Sequence, residues 1–182
     1  MSKPFRIKRP VRRTDAPERK TYGAYKDELA EDFNHRCGYT DCTDFWFGGQ
    51  RTFQIDHLKP WSKYPALKTE YSNLVYCCSY VNRAKWDDDS PHYLDPCDDD
   101  YNAHFERDDN GYIIGKSVDA KYMVQKMHLN LTRYAIIWTL DKLDDIITRL
   151  SVYSKAYPEV DELLTALKVE YYDYVQNLRR HQ

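Results

Sequence analysis

No run in this 182-residue sequence approaches the roughly 20 consecutive apolar residues that a membrane-spanning helix needs. No export-type leader is expected either. Met1 to Pro10 is charged and has no apolar centre, which makes the cytoplasm the expected location and no membrane the expected partner. The whole chain also lacks a charge excess of one sign, with 27 Lys and Arg against 29 Asp and Glu. The five cysteines are an odd number, which argues against a disulfide framework and leaves thiols or metal ligands. Internal repeats are absent, and the only biased tracts are short Asp clusters. What is present is core material. Hydrophobic residues make up 42%, with 17 Tyr and 4 Trp, too much for a disordered chain and enough for a packed domain.

The near-balance hides an uneven distribution. Lys3, Arg6, Lys8, Arg9, Arg12, Arg13, Arg19 and Lys20 face only Asp15 and Glu18 in the first 20 residues, a local net of +6. The remainder of the chain is then at −8 for a total of −2. A basic arm over residues 1–22, ahead of an acidic body, can track phosphates, or it can simply be a solvated terminus. Beyond it, Tyr25, Leu29 and Phe33 lie on one face of a predicted short helix. Strands are expected on both sides of the Gly48-Gly49 turn, then a loop, then a helix near residues 80–87. An acidic loop follows over 87–102, and a hairpin is expected from Ala103–Arg107 to Tyr112–Gly115 about an Asp109-Asn110-Gly111 turn. From Val118 the period is helical. Asn130 or Thr132 can cap a helix carrying Ile136, Ile137, Leu140, Leu143 and Ile147, and Pro158 opens a last one. This divides the chain into an arm (1–22), a core with hairpin (23–117) and a helical lobe (118–182).

The segment richest in chemistry runs from Phe53 to Lys85. In order it holds Asp56-His57-Leu58-Lys59-Pro60, Asn73-Leu74 and Asn82-Arg83-Ala84-Lys85. Singly these residues read blandly: His57 as a core histidine held by Asp56, Asn73 as a turn residue, Asn82 as a helix cap. Taken together, their order resembles the HNH nucleases. The resemblance covers about fifty residues and implies an α+β fold with a ββα-metal core, here with an added hairpin and a C-terminal helical lobe. It implies divalent-metal-dependent endonuclease cleavage of DNA to 5′-phosphate and 3′-hydroxyl ends, with His57, Asn73 and Asn82 as the catalytic set. The chemistry suits the residue types. A hard cation such as Mg²⁺ or Mn²⁺ accepts one carboxylate and one amide oxygen, from Asp56 and Asn82, and keeps several waters. His57 can take a proton at neutral pH. By the resemblance, Asn73 ties the loop to the strand and orients the histidine. Adjacent strand residues point to opposite faces, so the strand is expected to end or twist at Asp56-His57. Lys85 shares a helix face with Asn82 and is expected to contact a phosphate, with Arg83, Lys59 and Lys63 as weaker nucleic-acid contacts.

Many HNH proteins add a structural zinc held by two Cys-x-x-Cys knuckles. Here Cys37, Cys42 and Cys78 are placed for such a site, which needs a fourth ligand from Cys77, Cys97, His35 or His92. Buried thiols are the preferred reading, with aromatic packing from Phe45, Trp46, Phe47 and Trp61 holding the subdomain in place of metal. A second resemblance rests on Tyr93-Leu94-Asp95-Pro96, His104-Phe105 and Gly111-Tyr112-Ile113. It is to HNH effectors of bacterial anti-phage systems of the Septu and retron-associated kind, and implies an ATPase partner, with His92, Asp95 and His104 bordering the site. The rival expectation is a non-catalytic nucleic-acid or protein-binding adaptor on the same scaffold.

Overall fold

Phe5, five residues into the chain, is fully buried against the rings of Tyr101 and Phe105. In the computed structural model, which describes residues 3–153 and 157–180, strand β1 (Lys3–Pro4) leads into a strap across the body. The first two residues of the expected arm and the last two of the expected helical lobe lie outside the described residues. The strap corrects the expectation of a phosphate-tracking arm. Arg6 donates to the carbonyls of Pro96 and Gly38 (3.2 and 2.6 Å), and Arg9 to that of Cys97 (2.5 Å). Arg12 bonds both Asp95 oxygens at 3.0 Å, and Arg13 pairs with Asp32 and Glu31 at 2.9 and 2.7 Å. Arg19 pairs with Glu28. Arg12, Arg13 and Arg19 thus pair with the protein's own acidic body, because carboxylates a few ångströms away compete better than a distant ligand.

A 3₁₀ turn (Tyr22–Tyr25) precedes α1 (Lys26–Asp32), with Leu29 and Ala30 buried. On the N-terminal side of Gly48-Gly49 the expected strand is instead a 3₁₀ turn, Asp44–Phe47, closed by Gly48 at φ +96°. Strand β2 (Gln54–His57) follows and pairs antiparallel with β3 (Leu74–Cys77), which lies where a loop was expected. All four β3 residues are buried, so the strand carries no alternation that periodicity could detect. Helix α2 (Ser79–Lys85) completes a strand–strand–helix unit. Helix α3 (Tyr101–His104) takes the start of the expected hairpin, because Asp100 caps it through Asn102 N. The hairpin itself is β4 (Phe105–Arg107) and β5 (Ile113–Gly115), in a sheet of order β1-β4-β5.

Three helices close the chain: α4 (Val118–Lys126, capped by Ser117), α5 (Thr132–Ser151) and α6 (Pro158–Arg180). Neither Asn130 nor Thr132 caps α5; its N-cap position is Leu131. Ile136, Ile137 and Leu140 of α5 and Leu178 of α6 share one buried cluster with Phe5, Leu29, Val75 and Val81. The chain is therefore mixed α+β with small sheets and a helical C-terminus packed on them. Among the described residues, no helix is long and apolar enough to cross a membrane.

Candidate active site

Strand β2 stops at His57, and the reason lies in Asn73. The backbone ladder continues one bond further, Leu58 N to Asn73 O (2.9 Å), after which the Asn73 side chain takes over. Its Oδ1 accepts from Lys59 N at 2.8 Å, while Nδ2 donates to Lys59 O at 3.0 Å and Leu67 O at 3.3 Å. One amide therefore latches both ends of the 59–67 loop. Asn73→Ala would leave these backbone groups unpaired at a buried position, at a cost of about 1–3 kcal/mol. Urea denaturation should show that loss, and hydrogen exchange should quicken at Lys59.

The latch sets up the histidine. Leu67 O, held by Asn73, immediately precedes the Lys68 carbonyl, which lies 2.9 Å from His57 Nε2. A carbonyl only accepts, so Nε2 carries the proton and the neutral ring keeps its lone pair on Nδ1. The ring of Tyr22 meets the imidazole edge-on at 4.7 Å between centroids. Burial lowers the His57 pKa below its ordinary value, against the opposing pull of the Lys68 carbonyl and Asp56. The ring is accordingly neutral near pH 7.

Asp56 points from β2 toward α2 and is 3% exposed. Tyr39 OH donates to its Oδ2 at 2.6 Å, and Lys85 Nζ lies 3.3 and 3.2 Å from its two oxygens. Lys85 Nζ also donates to His57 O at 2.6 Å and lies 5.1 Å from the Tyr93 ring centroid. With 0% exposure, Lys85 is not the phosphate contact expected of it. The helix face it shares with Asn82 meets β2, and a buried carboxylate draws in the nearest cation. Burial pushes the Asp56 carboxyl above its ordinary pKa while Lys85 and Tyr39 pull it down.

Asn82 donates from Nδ2 to Gln54 Oε1 at 2.8 Å, which leaves its carbonyl oxygen as the acceptor. Asp56, His57 and Asn82 all line one cavity of about 490 Å³, together with Gln54, Trp61 and Trp86. Asp56 and Asn82 are hard oxygen donors, and a carboxylate has more lone-pair sites than Tyr39 and Lys85 occupy. Donors of these two kinds are ones a dication accepts while keeping most of its waters. A dedicated cage is a different matter: among the described residues, no three His, Cys, Asp or Glu side chains are grouped to hold a metal.

Of the remaining expected nucleic-acid contacts and zinc ligands, Arg83 alone lines that cavity. Arg83 is exposed at the cavity, with its guanidinium over Tyr80. Lys59 is exposed beside Tyr64, and Lys63 pairs with Asp89 at 2.7 Å. Cys37, Cys42 and Cys78 are buried free thiols. Cys42 Sγ is directed at the carbonyls of Thr40 and Tyr134 (3.8 and 3.9 Å), and Cys78 Sγ lies 3.8 Å from Tyr134 OH. The thiols of Cys37 and Cys78 bond to each other, and burial pushes the Cys42 thiol up to about 12. His92, Asp95 and His104, expected at the site's border, are committed to Asp119, Arg12 and Ser117 instead. Tyr22, Tyr39, Gln54 and the Lys68 carbonyl are site components that sequence reasoning missed. Of these, Gln54 alone carries a signal, being two residues before Asp56 on the same strand face. No protein-family model matches the chain, and no curated protein matches it.

Proposed function

We propose that the chain is a divalent-metal-dependent nuclease of the HNH type that hydrolyses DNA phosphodiester bonds on a ββα-metal core formed by β2, β3 and α2. The observation that carries this reading is the orientation of His57. Its Nε2–H is held by the Lys68 carbonyl, so Nδ1 is the basic atom of a neutral ring in a cavity shared with Asp56 and Asn82. In the reaction, Nδ1 takes a proton from water and the resulting hydroxide oxygen bonds to phosphorus. The bond from phosphorus to the 3′ oxygen breaks, the leaving oxygen takes a proton from solvent water, and His57 returns its own proton to solvent. Asp56 and Asn82 would hold the dication, which when bound supplies positive charge for the departing oxygen. Lys85 and Tyr39 position Asp56, and Asn73 positions His57 through the loop it latches. The resemblance at Tyr93-Leu94-Asp95-Pro96 extends the proposal to an anti-phage effector working beside an ATPase subunit.

One observation favours a second reading, a non-catalytic adaptor. Lys85 already balances the charge of Asp56, which lowers the pull on a dication. Supercoiled plasmid incubated with the protein in Mg²⁺, Mn²⁺ or EDTA separates the two. Nicked and linear products in either metal, and none in EDTA, are the expected result. DNA binding with intact plasmid in both metals would establish the adaptor.

A further inference from the structure

Trp86 is 75% exposed at the rim of the cavity, on backbone at φ +56° and ψ −128°. That region suits glycine, and a bulky residue held there costs on the order of 1–3 kcal/mol. Fold stability therefore does not explain a tryptophan at this position. Trp61, expected as subdomain packing, lines the same cavity and is 45% exposed. Tyr64 and Tyr80 are exposed on the flanking loop and on α2. Exposed cations accompany these rings: Lys68 Nζ is 4.5 Å from the Trp61 centroid, Lys59 5.6 Å from Tyr64, and Arg83 5.1 Å from Tyr80. Rings interleaved with cations match an unpaired nucleic-acid strand, whose base faces stack while its phosphates pair. A duplex hides those faces and offers its phosphates and groove edges instead.

We infer that the site takes an unpaired strand, with bases stacked on Trp61 and Trp86 on either side of the phosphate presented to His57. This rests on the nuclease reading for the identity of the reacting bond, but its test does not. Fluorescence anisotropy in EDTA would compare a labelled single strand of roughly 12 nucleotides with its duplex. The single strand is expected to bind at least about tenfold more tightly. Trp61→Ala and Trp86→Ala should each lower its affinity about tenfold, and Trp86→Phe should retain it. Equal affinity for strand and duplex, or alanine variants that bind the strand like the parent, would overturn the inference. Adding Mg²⁺ then separates the two claims. Strand-selective, tryptophan-dependent binding without cleavage supports the inference and removes the nuclease reading. Equal cleavage of both substrates, insensitive to Trp61 and Trp86, does the reverse.

Discussion

His57→Ala is expected to lower DNA cleavage by about 10²- to 10⁴-fold, the range for losing a positioned general base, while DNA affinity stays within about twofold. Alanine removes the Nδ1 lone pair but also the bond to the Lys68 carbonyl, so a second variant is needed to separate chemistry from loop anchoring. Glutamine supplies an N–H that can donate to that carbonyl and no base of comparable strength. His57→Gln should therefore melt near the parent temperature and be as inactive as His57→Ala. The pH profile gives an independent check. The working form is the neutral ring, and burial lowers its pKa, so activity should fall only as pH drops below about 6.5, the ordinary histidine value. Single-turnover cleavage across pH, with binding and melting of each variant, reads all three. Wild-type rates in His57→Gln would remove the histidine from the mechanism.

The cluster of Asp56, His57, Asn73 and Asn82 could be read from sequence because it is local. A two-stranded ladder and the helix after it bring together residues no more than 26 positions apart, so order and spacing carry nearly all the geometry. Helices α4 to α6 were visible for a similar reason, since their stripes repeat at the helical period. Strand β3 was not, because Leu74-Val75-Tyr76-Cys77 is buried on both faces and has no period to detect. Tyr39, Tyr22 and the Lys68 carbonyl reach the site through tertiary packing, and nothing in their local sequence marks them. The basic segment misled for an electrostatic reason. Counting charge shows that an anion is wanted and does not say whose, and here Asp32, Glu31, Glu28 and Asp95 provide it.

Lys85→Met is expected to destabilise the protein by about 3–5 kcal/mol, the range for stripping one partner from a buried ion pair. For a chain of this size that corresponds to a fall in Tm of roughly 10 °C. Methionine fills a comparable volume and leaves the Asp56 carboxylate with only the Tyr39 hydroxyl, at 3% exposure. His57 O also loses its 2.6 Å donor, so the end of β2 loosens just where the histidine is set. The double variant Lys85→Met/Asp56→Asn removes the stranded charge and lets the asparagine oxygen keep the Tyr39 bond. It should recover most of the loss, giving a coupling of about 2 kcal/mol or more between the two positions. Thermal and urea unfolding of the parent, both single variants and the double close the cycle. A phosphate-contacting lysine would behave in the opposite way, with an unchanged melting temperature, weaker DNA binding and no coupling to Asp56. That pattern would return Lys85 to the nucleic-acid interface and take from Asp56 the cation that offsets its burial.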